Sequence, residues 1–439
     1  MKLTQHYNLK VSKKESVLLL ETMKEAAQLW NALIDIRIEK FAKKEKIDAT
    51  ILQKLVQGKF NVHSDTMIAL CQRMHANILT TTQNIKIQNR IKDETKRKKV
   101  EYPYIKKDMV TLTLKKRQVL KNNYLALSKK LYIKIPDEID LSKTNLIHIT
   151  YLNNKFTIFI TETREEKRSV ETGNSMGVDL GEINSIAYID TQGSKGVISG
   201  REIRAIKRFR NNQHYNLRQK LKLCKKDSKR HKKLVKARNK LSHKSKNKLK
   251  NSYHCVTKKF MKVCEDKKID SIYVGNCSGV GQNHRTRTRS GQRQNRSQFA
   301  CGELMDQLEY KSILLGIKYK DRSEAWSTQT CPRCGHRYHP SSRIYSCPEC
   351  GWTGHRDIVG AFNTLRYEKP SLNISILEGD VQFEYPFKSS SKLKKENKNR
   401  EKVSKIYAGD TQIISGGLPP VIATVASGDA KTHLGISAL

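Results

Sequence analysis

No apolar run in the 439 residues reaches the roughly 18 that a membrane-spanning helix requires. The N-terminus likewise lacks the apolar core of a signal peptide. These two absences exclude a helical membrane protein and lead us to expect a soluble chain in a cytoplasm, with no membrane partner. Acidic residues are also scarce: 42 Asp and Glu stand against 85 Lys and Arg, for a net charge of +43. Self-repulsion on that scale is tolerated when a polyanion neutralises it, and nucleic acid is the usual one. A ribosome-associated protein or a membrane-surface binder is the bland alternative. The shortage is sharpest in residues 201–250, which hold 21 Lys and Arg and two acids, Glu202 and Asp227. A solvated helix usually mixes signs, so this bias suggests a helical hairpin lying along phosphates, with a disordered basic linker as the alternative.

Ten cysteines could suggest a disulfide framework. Four of them fall in one cluster, however, and the other six (Cys71, Cys224, Cys255, Cys264, Cys277, Cys301) are scattered singly. In a reducing compartment those six read as buried or partly exposed thiols.

The chain is long enough for two to four domains. Residues 2–11 alternate as a strand, and Glu15–Phe41 places Leu19, Met23, Ala27, Trp30, Ile34 and Ile38 at helical spacing. More helix is expected over residues 50–57 and 64–91. Between 102 and 165 the texture turns to short β-rich runs, MVTLTL, LYIKI, LIHITYL and KFTIFITET. From Ser175 the order is three strands (MGVDLG, INSIAYID, GVISG), a long basic helical stretch over 201–268, a fourth strand (DSIYVG), a helix ending at Leu315, a fifth strand (GIKYKDRSE) and a helix over residues 357–367. That is the order of an RNase H-like α/β fold, and fold alone licenses no activity. A second basic piece, HRTRTRSGQRQNRSQ over 284–298, reads as a flexible loop that orders on nucleic acid.

CPRC and CPEC place Cys331 and Cys334, then Cys347 and Cys350, as paired C-x2-C knuckles separated by twelve residues. This spacing suits one tetrahedral Zn2+ with four thiolates and no open position, hence a structural metal. Gly335 and Gly351 follow each knuckle and suit the tight turn, and the intervening HRYHPSSRIYS is expected to form a short β-ribbon. His336 and His339 are read as surface residues.

Asp179 lies in an apolar first strand beside Gly177 and Gly181. A carboxylate in such a strand is costly unless ionically satisfied, and a divalent cation is its natural partner. Asp357 opens a helix, where an aspartate could equally be a plain N-cap. Phosphodiester hydrolysis by two Mg2+ ions calls for carboxylates converging from separate segments.

MGVDLG, LEYKSILLGIKY, STQTCPRCG, the CPEC knuckle and HRDIVGAFNTL follow one another as in the TnpB (OrfB-type) family of bacterial insertion sequences, which the chain resembles over most of residues 175–367. Compact type V CRISPR effectors share this order. The resemblance implies a RuvC-like nuclease domain over 175–330 and 355–368, with the basic hairpin at about 201–268 and a zinc ribbon over 331–354. It further implies a β-barrel wedge domain over 1–12 and 100–168 that carries a helical recognition insert over 13–99. Residues 369–439, including SSSKLKKENKNREK at 389–402, are expected to be a disordered basic tail.

The family places a Glu directly after the fourth strand, where this chain has Gly275, then Asn276 and Cys277. Candidate replacements are Glu303 and Glu309 on the next helix, Asp321, and Glu324 just after the fifth strand. In an RNase H-like sheet the fourth and fifth strands run side by side about 4.8 Å apart. A Glu at the end of the fifth can therefore serve a metal of the fourth, as in a subgroup of the family. The expected catalytic set is Asp179, Glu324 and Asp357, holding Mg2+. The implied function is RNA-guided, Mg2+-dependent cleavage of double-stranded DNA beside a short motif, by a monomer encoded on a transposable element in a bacterial cytoplasm and bound to a guide RNA. The alternatives are a catalytically inactive RNA-guided DNA-binding repressor, which Gly275 favours, and a CRISPR-associated type V effector using a crRNA. A transposase proper is disfavoured, because no HUH pair with a tyrosine nucleophile and no serine-recombinase pattern is present.

Overall fold

The computed structural model describes residues 1–387 except 92–96, 106–108, 121–122, 129–130, 137–138, 140, 142–143, 153, 170 and 278–300. The basic piece at 284–298 and the stretch 389–402 therefore lie outside the described residues. The chain divides into two units, Met1–Glu166 and Lys167–Leu439. No helix among the described residues is long and apolar enough to cross a membrane.

In the first unit, strand β1 (Lys2–Leu9) alternates exposed and covered residues and pairs antiparallel along its full length with β6 (Lys155–Thr163). The sheet continues to β5 (Thr144–Leu152) and β2 (Leu112–Lys115), in the order β1-β6-β5-β2. A separate hairpin joins β3 (Tyr124–Ser128) to β4 (Leu131–Lys134); its first strand, YLALS, was not singled out by the sequence. Helix α1 (Lys13–Ala42) starts at a capping box in which Ser12 and Glu15 exchange side-chain and backbone bonds, satisfying two donors the first turn would leave open. Its stripe Leu19, Met23, Ala27, Trp30 and Ile34 is buried as the spacing predicts, with Ile38 partly covered. Helices α2 (Ala49–Val56) and α3 (Ser64–Asn89) join the same core.

The second unit is built on a six-stranded sheet. Strands β7 (Ser175–Leu180), β8 (Asn184–Asp190) and β9 (Lys195–Ser199) form an antiparallel meander. Strand β10 (Ser271–Asn276) runs parallel to β7, and β11 (Lys318–Ser323) runs parallel to β10, so the fourth and fifth strands are neighbours as expected. Between β9 and β10 the basic stretch forms two helices, α4 (Arg201–Lys222) and α5 (Lys229–Asp266). Only Ile203 and Lys207 of α4 are buried, and most Lys and Arg of both helices face solvent.

The period-two geometry of a strand decides which face each residue serves. Met176, Val178 and Leu180 enter a core with Val256 and Phe260 of α5 and Leu304 and Leu308 of α6 (Cys301–Leu315). Gly177 and Asp179 therefore face the opposite side. There α7 (Arg356–Glu368) packs Ile358, Ala361, Phe362 and Leu365 against Ala187, Ile189 and Val197.

Two expectations need correction. Residues 369–387 are not tail: Leu372, Ile376, Leu377 and Phe383 pack on the α7 side of the sheet, and β14 (Gln382–Glu384) adds a parallel strand to β9. Lys195 anchors this return by donating to the Ile376 carbonyl at 3.1 Å and to that of Glu378. A three-residue strand is too short for its alternation to be read. Cys277 and Cys301 are also not free thiols. They form a disulfide with Cα atoms 6.2 Å apart, while Cys71, Cys224, Cys255 and Cys264 remain free.

Candidate active site and metal centre

Asp179 sits near the end of β7, opposite Ala187 of β8, and is only 5% exposed. Two glycines give it room. A Cβ at Gly177 would run into the Ala361 carbonyl and come within 2.6 Å of Leu365 Cβ, so only glycine lets α7 lie on the strand. A Cβ at Gly360 would stand 2.9 Å from Asp179 Cγ, so the helix must be bare where the carboxylate projects.

Asp357 is in the first turn of α7, but the N-cap is His355. The plain capping reading is therefore set aside, since this carboxylate is spent elsewhere. Asn184 donates to its Oδ2 at 2.8 Å, and Arg343, which lies between the two cysteine knuckles, pairs with the same oxygen. Arg356 approaches Oδ1 at 3.6 Å.

Glu324 follows β11 directly. The parallel register sets Gly275 against Arg322 and Asn276 against Ser323, bringing the ends of β10 and β11 level. A Cβ at Gly275 would meet Glu324 Cγ at 3.5 Å and Cβ at 3.7 Å, so the Glu324 side chain lies over the bare position. Its Oε2 is buried without a hydrogen-bond partner.

The electrostatics agree with one shared site. Burial raises the Asp179 carboxyl well above the ordinary range, and the negative charges of Asp357 and then Glu324 raise it further, against the pull of Arg356 and Arg343. Burial pushes Glu324 up to about 7. The rejected candidates lie apart from this arrangement. Glu303 and Glu309 are exposed on α6, Glu303 accepting from Gln307 at 2.9 Å. Asp321 is exposed and accepts from Asn276 at 2.7 Å. Sequence reasoning missed Asn184, Arg343 and Arg356, whose partner carboxylate is fixed only by the fold.

Cys331, Cys334, Cys347 and Cys350 bring all four sulfurs within 4.8 Å of one another, the one such group of ligand atoms among the described residues. Cys331 and Cys350 sulfurs are 3.7 Å apart, and those of Cys334 and Cys347 3.6 Å. Four thiolates at about 2.3 Å from a tetrahedral centre would be separated by about 3.8 Å, so the cluster could bind zinc. Gly335 and Gly351 take φ of +74° and +67°, the left-handed turn that each knuckle needs. The expected β-ribbon is differently placed. Strand β12 (Ile344–Ser346) pairs with β13 (Thr353–His355) across the second knuckle, because Cys347 and Cys350 form its turn. His336 is exposed, and so is His339.

The three carboxylates also fit a metal, by a different test. The charges of Asp357 and Glu324 raise the cost of ionising Asp179, and Glu324 keeps a buried oxygen with no donor, a condition that a divalent cation relieves. Their oxygens are not drawn as close as the sulfurs, and arginines stand as the counter-charges of Asp357.

A six-stranded sheet in this order, an antiparallel meander extended by two parallel strands, is the arrangement of an RNase H-like fold. Parts of the chain are similar to known families. Residues 158–281 match the OrfB_IS605 model, described as a probable transposase, and residues 302–364 match the model of the Cas12f1-like TNB domain. A CRISPR-associated endodeoxyribonuclease Cas12f2 from Micrarchaeota archaeon (strain CG1_02_47_40) is 27% identical over 245 residues, covering 52% of this chain and 43% of the relative. The chain thus spans less than half the length of that curated relative. A cryo-EM structure of a Cas12f1-sgRNA-target DNA complex shares the fold at TM-score 0.53 and 14% identity, covering 80% of this chain and 83% of that one. The resemblance read from the motifs is met over these segments: the chain is similar there to OrfB-type transposases and to Cas12f endonucleases.

Proposed function

We propose that the chain is an RNA-guided DNA endonuclease that needs a divalent cation, Mg2+, at Asp179, Glu324 and Asp357, and a structural Zn2+ at the four cysteines. The observation that carries this is Glu324 lying over Gly275 with a buried, unpartnered oxygen, its charge felt by Asp179. Cations bound there would polarise a phosphate oxygen and supply an activated water. The chain itself contributes the rest. Burial on the sheet excludes bulk water from Asp179, Asn184 orients Asp357, and Gly360 leaves the room that the Asp179 carboxylate occupies. The exposed Lys and Arg of α4 and α5 would track a nucleic-acid backbone. The Cas12f1 structure is of a complex with guide RNA and target DNA, which supports the same two partners here. The domain reading goes with this: wedge over 1–12 and 100–168 with a recognition insert over 13–99, nuclease over 175–330 and 355–368, zinc ribbon over 331–354. The observed division after Glu166 supports the split between the first two and the last two.

A second reading, a CRISPR-associated effector guided by a crRNA, draws on the description of the Cas12f2 relative. The protein encoded on a transposable element would instead carry RNA from the element's end. Sequencing the RNA that copurifies with the protein, then assaying cleavage of matching DNA with and without Mg2+, tests the proposal. Guided cutting that stops on chelation is expected. Binding of the guided target with no cutting at any Mg2+ concentration would establish the repressor reading instead.

A further inference from the structure

Trp326 is a large apolar side chain that neither the core nor the carboxylates use. It is 52% exposed and holds a φ of +65°, a conformation that bulky L-residues rarely adopt and that persists where the surroundings impose it. The imposing contacts are explicit. Ser327 N donates to the Glu324 carbonyl at 3.1 Å, and the amides of Gln329 and Thr330 both donate to the Trp326 carbonyl at 3.0 Å. Asn363 of α7 then clamps the turn, its amide donating to the Ser327 carbonyl at 2.7 Å and that of Thr330 at 2.8 Å.

This turn borders the site. It leaves from Glu324, and Thr328 Cγ2 and Asp179 Cγ lie 2.8 and 2.9 Å from the same empty Cβ position of Gly360. Trp326 is therefore the exposed aromatic residue of a turn that leaves from Glu324 and returns beside Asp179 at Thr328. Its ring is backed by the Arg337 guanidinium, 5.1 Å from the centroid, and the Thr330–Arg337 bridge holds that strand to the turn. A tryptophan kept for packing would be buried and would not need a strained backbone held by three donors.

We infer that Trp326, backed by Arg337, is a stacking platform for an unpaired DNA base next to the phosphate that enters the carboxylate site, an inference that rests on the nuclease reading. An indole face accepts any base, and stacking fixes the nucleotide without reading its identity. Trp326 is thus a positioning residue: it aligns the strand, and the carboxylate site cuts it.

The test uses the full-length protein with its copurified RNA and DNA targets carrying single abasic sites stepped across the cut region. Trp326→Ala should lower kcat for cutting about tenfold or more, within the range of one stacked base, while Trp326→Tyr retains most of it. One abasic position should cost the unmutated protein a similar factor and cost Trp326→Ala nothing further. Trp326→Gly, which suits the positive φ, should show the same kcat loss with an unchanged or higher Tm. In an Asp179→Ala background, single-stranded DNA should quench a fluorescence component that Trp326→Tyr removes. The proposal is overturned if abasic sites cost both proteins equally, if Tyr fails as badly as Ala, or if no quenching is assignable to Trp326. Should the unmutated protein never cut, the nuclease reading falls and the quenching still decides the platform.

Discussion

The two metal-type sites of the second unit are assembled in opposite ways. The four sulfurs come from 20 consecutive residues and already stand 3.6 and 3.7 Å apart in pairs, a closed shell that local turns build by themselves. The carboxylates come from β7, from the end of β11 and from α7, and the sheet must form before they meet. The first arrangement is a set of four sulfur ligands, which leaves no open position on a tetrahedral metal. The second keeps Asp179 buried near the charges of Asp357 and Glu324 at a cost, as the proposed cation site would require.

Zinc removal probes the local site and should have the largest effect. Binding at four-cysteine sites is folding free energy, on the order of 10 kcal/mol in small domains. Cys347→Ser or strong chelation should therefore unfold the ribbon around β12 and β13. Because Arg343 lies between the knuckles and pairs with Asp357, cleavage should fall as well. Metal analysis that finds no zinc in freshly purified protein contradicts this account of the cluster.

The carboxylate site should show its cost as a pH dependence. The Glu324 carboxyl is raised from 4.5 to about 7 in the fold. The unfolded chain therefore releases that proton first, and its contribution to stability is intact below about pH 4.5 and lost as pH rises to about 7. The loss is at most about 3 kcal/mol, and Asp179 is shifted in the same direction. In metal-free protein the difference in stability between Glu324→Gln and the unmutated chain should grow in favour of Gln over that interval, then stay flat. Mg2+ should shrink the difference at pH 8. A pH-independent difference would mean that Glu324 titrates as an ordinary surface acid.

The same contrast explains what could be read from the sequence. Cysteine spacing and the Gly after each knuckle are local, so the cluster was legible to the residue. The helices of the basic stretch were legible because 21 Lys and Arg in fifty residues favoured a helical hairpin over a disordered linker. Glu324 was proposed from topology, as the acid at the end of the strand next to Gly275, and from the likeness to a subgroup of the family. Asn184 and Arg343 had no local signal, since their partner Asp357 is 173 and 14 residues away and is brought near only by the fold. The return of 369–387 was hidden because β14 is three residues long and borrows its stability from β9 and Lys195. The disulfide was hidden because its two cysteines lie 24 residues apart, on either side of a polar, basic stretch.

The measurement that tests the central claim most directly is guided DNA cleavage by Glu324→Ala, alone and combined with Gly275→Glu. Loss of a metal-holding carboxylate removes several kcal/mol of transition-state stabilisation. The single variant should therefore cut slower by orders of magnitude while still binding RNA and target. A Cβ at position 275 meets only ordinary van der Waals contacts, so the double variant should recover a measurable part of the rate. Normal cutting by Glu324→Ala would contradict the account, and loss of cutting in Glu309→Ala at the same time would move the missing carboxylate to α6.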